Sequence, residues 1–182
     1  PHLTSSIGSM SLSEAVLSPS GQSAVHVQNA EANNIAADLD ATSLDGQIAA
    51  QKLAVEGVHN DQLSFGSASL HNLQSSQSTQ NNGDIHFSAG VDHVYASDSQ
   101  AKGIGNVDEI EASGFGVQIT PHKAAASLDR FKATGLSDDI IGSSTEQLSA
   151  NSATFKSNSG TIEATLGDAE AIGFKNHDER GH

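Results

Sequence analysis

Apolar residues recur at every second position through most of this chain, and that spacing is the one a pleated strand needs and an amphipathic helix cannot use. In Ile35-Ala36-Ala37-Asp38-Leu39-Asp40-Ala41, the residues Ile35, Ala37, Leu39 and Ala41 keep one parity while Asp38 and Asp40 keep the other. Val25 and Val27 alternate in the same way, as do Ile85, Phe87, Ala89 and Val91, and Phe115, Val117 and Ile119. Such segments predict half-buried strands from end to end. Two segments compete for a helix. Ser11-Leu12-Ser13-Glu14 has the form of a capping box, but the alternation of Met10 and Leu12 favours a strand. Residues 124–136 have helical propensity in Ala124-Ala125-Ala126, yet they close on Phe131-Lys132-Ala133-Thr134-Gly135-Leu136, which repeats the pattern of the other strands.

Turn chemistry separates the alternating runs. Pro19-Ser20-Gly21, Asp45-Gly46, His59-Asn60-Asp61, Asn82-Gly83, Gly105-Asn106, Pro121-His122, Asp138-Asp139 and Asn158-Ser159-Gly160 are the expected breaks. Residues 74–84 contain no apolar side chain and end on Asn82-Gly83-Asp84, which makes them a protruding loop or the tip of a long hairpin. Asn81, Asn82, Gly83 and Asp84 are the candidate contact loop.

A short theme recurs within the strands: a small or apolar residue, a variable residue, Gly or Asn, then an apolar residue. It is found as Ala32-Asn33-Asn34-Ile35, Val55-Glu56-Gly57-Val58, Leu70-His71-Asn72-Leu73, Ala112-Ser113-Gly114-Phe115, Ala133-Thr134-Gly135-Leu136 and Ala171-Ile172-Gly173-Phe174. Looser copies place Gly90 and Thr154 in the third position. The mean interval is about 20 residues, in the range of repeat architectures. Two all-β folds accommodate it. In a β-solenoid each unit is one coil with Gly or Asn at a corner of left-handed geometry; in a long antiparallel β-meander or folded sheet each unit is a hairpin. The constant phase of the theme favours the solenoid and the hairpin turns favour the meander; the fold expected is the solenoid, with the meander or folded sheet as the alternative. Large core formers are few, with six Phe, one Tyr and no Trp, so any core is thin and made of small residues. The organisation expected is an N-terminal strand or capping segment over 1–22, a repetitive β domain over 23–174 and a polar tail over 175–182.

The interval near 20, the Gly/Asn positions and the alternating Ala, Leu, Ile and Val over about 34–174 resemble the β-helical stalks of filamentous-haemagglutinin-type bacterial adhesins. This resemblance implies a structural or adhesive repeat segment of a larger exported protein, extracellular or at the cell surface. A second similarity is to the folded-sheet domains of bacterial envelope lipid-transport proteins; it implies a periplasmic module with an apolar groove for lipid. Neither brings a motif that assigns a residue.

The remaining chemistry is read mainly by exclusion. A formal charge of −14 repels nucleic acid and anionic membrane surfaces. Cysteine is absent, and no run approaches the ~18 apolar residues of a membrane helix. His86 and His93 around Asp92 are the best metal candidates among nine histidines, but solvated polar faces explain them better. Asp38, Asp40 and Asp45-Gly46 lack the ligand order of a calcium loop. No Gly-x-Ser-x-Gly, phosphate loop, dinucleotide fingerprint or zinc spacing occurs, so neither catalysis nor a cofactor is expected. Arg130 and Arg180 are the only arginines, too few for the anion stabilisation of a lyase, and Tyr95 is the only Tyr or Trp to stack on a glycan. Protein partners or self-association are expected, with lipid as the alternative.

Overall fold

The computed structural model describes residues 2–18, 23–80, 82–138, 142–158 and 161–176. Every element among them is a strand: β1 (His2–Leu17), β2 (Val25–Asp40), β3 (Asp45–His59), β4 (Leu63–Thr79), β5 (Ile85–Ala101), β6 (Gly105–Thr120), β7 (Lys123–Asp138), β8 (Ser143–Asn158), β9 (Thr161–Leu166), β10 (Ala169–Ile172) and β11 (Lys175–Asn176). Each strand pairs antiparallel with the next in the chain, giving the order β1-β2-β3-β4-β5-β6-β7-β8, and the last three all pair with β8. They share one register on β8, from Thr161 against Asn158 to Asn176 against Ser143, and so form a ninth strand interrupted twice. The two segments that competed for a helix lie within β1 and β7.

This is the meander rather than the solenoid. Strands follow one another by hairpins in a single sheet instead of stacking as parallel coils, and each repeat unit is one strand with its turn, not a hairpin. Short turns enforce the arrangement, because a connection of a few residues can only return the chain antiparallel. Asn60 Oδ1 accepts from the backbone N–H groups of Gln62 and Leu63, a side-chain-closed turn that the Asn-Asp pair was expected to make. Gln80, Asn82, Gly83 and Asp84 lie at the tip of the β4–β5 hairpin, since β4 stays extended as far as Thr79. Two turns lie earlier than their dipeptides suggested. Residues 41–44 make the turn before Asp45-Gly46, and 102–104 the turn before Gly105-Asn106, so each pair opens a strand. Pro19-Ser20-Gly21 lies outside the described residues, as do Asp139, Ser159-Gly160 and the tail beyond Asn176.

Pairing is one for one along each hairpin. β2 and β3, for example, run from His26 against His59 to Asp40 against Asp45 with no residue gained or lost. Even so, the ladder is interrupted at the same two places on successive strands. One interruption passes through Gly8, Asn34, Gln51, Asn72, Asp92, Gly114, Asp129 and Ser152; the other passes through Glu14, Gln28, Gly57, Gly66, Asp98, Asp108, Gly135 and Glu146. Left-handed residues mark both columns, and they alternate by strand. The even strands carry Asn34 (φ 49), Asn72 (φ 53), Gly114 (φ 66) and Ser152 (φ 48) in the first column; the odd strands carry Glu14 (φ 52), Gly57 (φ 59), Asp98 (φ 50) and Gly135 (φ 61) in the second. The ninth strand breaks at Gly167-Asp168 and at Gly173 (φ 69), on the same two lines.

The recurrent theme therefore locates the column residues. All six close copies put their third residue at positive φ, as the left-handed reading required, but five of these residues sit inside strands and Gly173 sits between β10 and β11, not at solenoid corners. Both looser copies fail. Gly90 and Thr154 are ordinary ladder residues, paired with Gly116 and Thr165 respectively, while the left-handed residues of their strands are Asp98 and Ser152.

Ala32, Ala50, Val91 and Ala133 are the only buried hydrophobic side chains among the described residues, so the thin core of small residues is a line of contacts within a sheet one layer deep. The exposed surface is 12004 Å². A compact monomer of this mass would expose about 8,300 Å², so the chain carries an excess of roughly 3,700 Å².

Candidate functional site

Cross-strand partners lie on the same face of a sheet, so the register turns the alternation of each strand into rows crossing the sheet. Six such rows are predominantly apolar and contain no charged residue. In the middle of the sheet, one row runs Met10, Ala32, Leu53, Leu70, Val94, Ala112, Phe131, Ala150, Ala169, and its neighbour on the same face runs Leu12, Ala30, Val55, Ala68, Ala96, Ile110, Ala133, Leu148, Ala171. Beyond the first column come the rows through Ile35 and Ala50, through Ile48 and Val117, and through Phe87 and Ile119; beyond the second comes the row through Val27 and Val58. Lys52, Glu31, Glu111, Lys132, Glu56 and Glu109 all belong to the intervening rows.

On β2 the apolar parity runs Leu39, Ala37, Ile35, then Ala32, Ala30, then Val27, Val25, and it changes at Asn34 and at Gln28. An unbroken extended strand would send those three sets to alternating faces, because each extended residue reverses the side-chain direction. A residue in the left-handed helical region does not make that reversal. At Asn34 the parity of the apolar residues and the conformation of the backbone change together, whereas at Gln28 the left-handed residue is Gly57 on the neighbouring strand.

Polar side chains fill the columns. Asn34 Nδ2 donates to Gln51 Oε1, and Asn72 Nδ2 donates to Asp92 Oδ2 at 2.9 Å. Where the left-handed residue is Gly, a neighbouring side chain occupies the space a Cβ would take: Gln28 at Gly57, Asp129 at Gly114, Asp108 at Gly135 and Glu146 at Gly173. Hydroxyl pairs add cross-strand bonds on the polar rows, Ser67 with Ser97 at 2.9 Å and Ser76 with Ser88 at 2.7 Å. Glu31 accepts from Asn33 Nδ2 at 2.8 Å and lies 3.6 Å from Lys52 Nζ; the hydrogen bond first, and the ammonium second, hold its carboxyl below the usual carboxylate range. Asp40 is lowered chiefly by the backbone N–H of Thr42, which donates to it at 2.8 Å.

The candidate contact loop is closed on itself. Gly83 N–H donates to Gln80 O, Asn82 Nδ2 donates to Asp84 Oδ2, and the Asp84 N–H returns to Asn82 Oδ1. Asn81 lies outside the described residues. His86 pairs with Ser78 toward one end of β5, and His93 pairs with His71 and Ser113 at its centre, so roughly 23 Å of extended chain separates them. His71 and His93 meet edge to face at 6.1 Å, and His26 stacks on His59 at 4.9 Å. Among the described residues no three His, Asp or Glu side chains gather where a metal ion could be held.

Two open clefts are present. The larger, about 940 Å³, is lined by apolar residues including Ile48, Val91, Phe115 and Val117 and by polar ones including Gln47, Asn72, Gln74, Asp92, Gln118 and Lys156; the smaller, about 360 Å³, lies near Leu63, Ile104, Val107 and Leu136. The feature the sheet is built to present is the set of uncharged rows, whose members Met10, Leu12 and Leu148 are solvent exposed. Sequence reasoning found the alternating residues but not the rows, because row membership depends on strand register. No helix among the described residues is long and apolar enough to cross a membrane. Comparison with family models, curated proteins and solved structures finds no match to this chain.

Proposed function

We propose that this chain is a non-enzymatic structural sheet of a larger exported bacterial protein, working at the cell surface or beyond it as a rigid spacer with a protein-docking face. The observation that carries this reading is the segregation of charge: a chain of formal charge −14 keeps six apolar cross-strand rows free of charge while no second layer among the described residues covers them. Apolar surface left open on this scale marks an interaction site. Hydrogen bonding between strands of about sixteen residues, interrupted only at the columns, supplies the stiffness, and no cofactor or nucleic acid enters the mechanism.

A second reading has its own support. The apolar rows are open and not sealed between coils, which is what a periplasmic lipid-handling module would need to hold acyl chains. The larger cleft mixes Ile48, Val91, Phe115 and Val117 with Gln, Asn, Asp and Lys side chains, a lining that suits a protein surface as well as an acyl chain. Native mass spectrometry of protein extracted from cells under mild conditions separates the two. The expected spectrum contains protein without lipid; stoichiometric co-purified lipid would overturn the docking reading in favour of lipid handling.

A further inference from the structure

Resting on the docking reading above, we propose that the occupant of the apolar face is a second copy of this chain, packed sheet on sheet across the middle rows that contain Leu53, Leu70, Val94, Ile110 and Phe131. Area is the first argument. Strands of 15–17 residues in a nine-strand width span about 50 Å by 40 Å, so one full face offers roughly 2,000 Å². Two copies packed face to face would remove up to about 4,000 Å² in total, within the range of obligate homodimers and well above the ~1,000 Å² that a specific interface requires. That contact would also take up more than half of each chain's excess surface of about 3,700 Å².

Charge and shape choose a copy over an unlike partner. A strongly acidic chain can meet itself only where its acids are absent, and the middle rows hold none from β1 to β10. Their side chains are mostly Ala, Val and Leu, short enough for two sheets to approach at the ~10 Å of an ordinary sandwich without a pocket on one side and a knob on the other. A two-fold contact needs only one self-complementary surface, which a uniform apolar face provides.

The test is the mass of the full chain in solution by sedimentation equilibrium, with Leu70→Lys and Ser69→Lys compared at equal concentration and far-UV circular dichroism recorded for each. The two positions are adjacent on β4 but belong to an apolar and a polar row respectively. The expected result is a dimer for the parent and for Ser69→Lys, and a loss of association of at least 100-fold for Leu70→Lys with an unchanged strand spectrum. Should Leu70→Lys fail to fold, Leu148→Lys, on the exposed end of the neighbouring row, replaces it. A monomer at all concentrations that is lipid-free and binds an apolar dye would overturn the second copy while leaving the docking face intact. A lipid-loaded monomer would overturn both readings. Association that survives both lysines would place the contact at the strand edges and refute the face-to-face arrangement.

Discussion

Replacing Gly135 and Gly90 by alanine, one at a time, tests whether the columns are backbone features or accidents of composition. Both glycines lie inside strands and both fit the recurrent theme, yet their backbones differ. Gly135 has φ 61, and the space of its missing Cβ is held by the Asp108 carboxylate; Gly90 is not left-handed, and a Cβ there would meet only Phe115 O at 3.5 Å, an ordinary contact. Each substitution removes backbone freedom from the unfolded chain, a gain of about 0.4–1 kcal/mol where the native conformation tolerates alanine. That term is common to both and cancels in the comparison. What remains is the left-handed penalty of about 1–2 kcal/mol at Gly135, with the displacement of Asp108 added to it. With a urea m-value of about 2 kcal/mol/M, the two variants should differ by roughly 0.5–1 M in midpoint, Gly135→Ala below the parent and Gly90→Ala at or above it. Equilibrium urea unfolding followed by far-UV circular dichroism measures this directly. Equal midpoints for the two variants would refute the assignment of Gly135 to a left-handed column.

Asn72→Gly should be neutral to slightly stabilising, within about 1 kcal/mol by the same urea assay, because φ 53 strains asparagine less than most residues but glycine not at all; a loss above that would mean the Asn72–Asp92 hydrogen bond outweighs the strain. Glu31 is lowered first by the Asn33 hydrogen bond and then by Lys52, so its contribution to stability is present above the ordinary carboxylate range and fades as pH falls through its folded value. Asn33→Ala should move the Glu31 titration upward in an NMR pH series, and an unmoved midpoint would remove that cause. Amide hydrogen exchange should be slowest in β4–β6, bonded on both sides, and fast for the outward amides of β1, which pairs only with β2; protection of β1 equal to the centre would indicate association through that edge. Thr165→Val, which breaks the Thr154–Thr165 hydroxyl pair of 2.5 Å, should cost about 0.2–1 kcal/mol in thermal or urea unfolding, and a larger loss would contradict its exposed setting.

Much of this architecture is written locally. Alternation such as Ile35, Ala37, Leu39 against Asp38 and Asp40 identifies strands because a pleated backbone reverses its side chains at every residue. Asn34, Asn72, Gly57, Gly114, Gly135 and Gly173 announce left-handed backbone because Gly and Asn adopt positive φ at the least steric cost. That signal is blind to Glu14, Asp98 and Ser152, which take the same conformation with residue types that do not advertise it, and it wrongly includes Gly90. The interval near 20 is real, but it measures a strand and its turn, and spacing alone is the same for a coil.

Tertiary structure decided the rest. Whether neighbouring strands run parallel or antiparallel depends on hydrogen bonds between residues far apart in the chain, and the hairpin at each turn settled it for this sheet. The uncharged rows exist only in register: Leu70 and Phe131 lie sixty-one positions apart in the chain, and they share a row because β4 to β7 pair without a slip. A one-residue shift in any hairpin would have broken every row at that strand. By itself the sequence determined which residues are extended, which are apolar and most of those that are left-handed, since all three follow from local stereochemistry. Only the pairing of strands lined those residues into faces and columns, because a face is a property of neighbours brought together across the sheet.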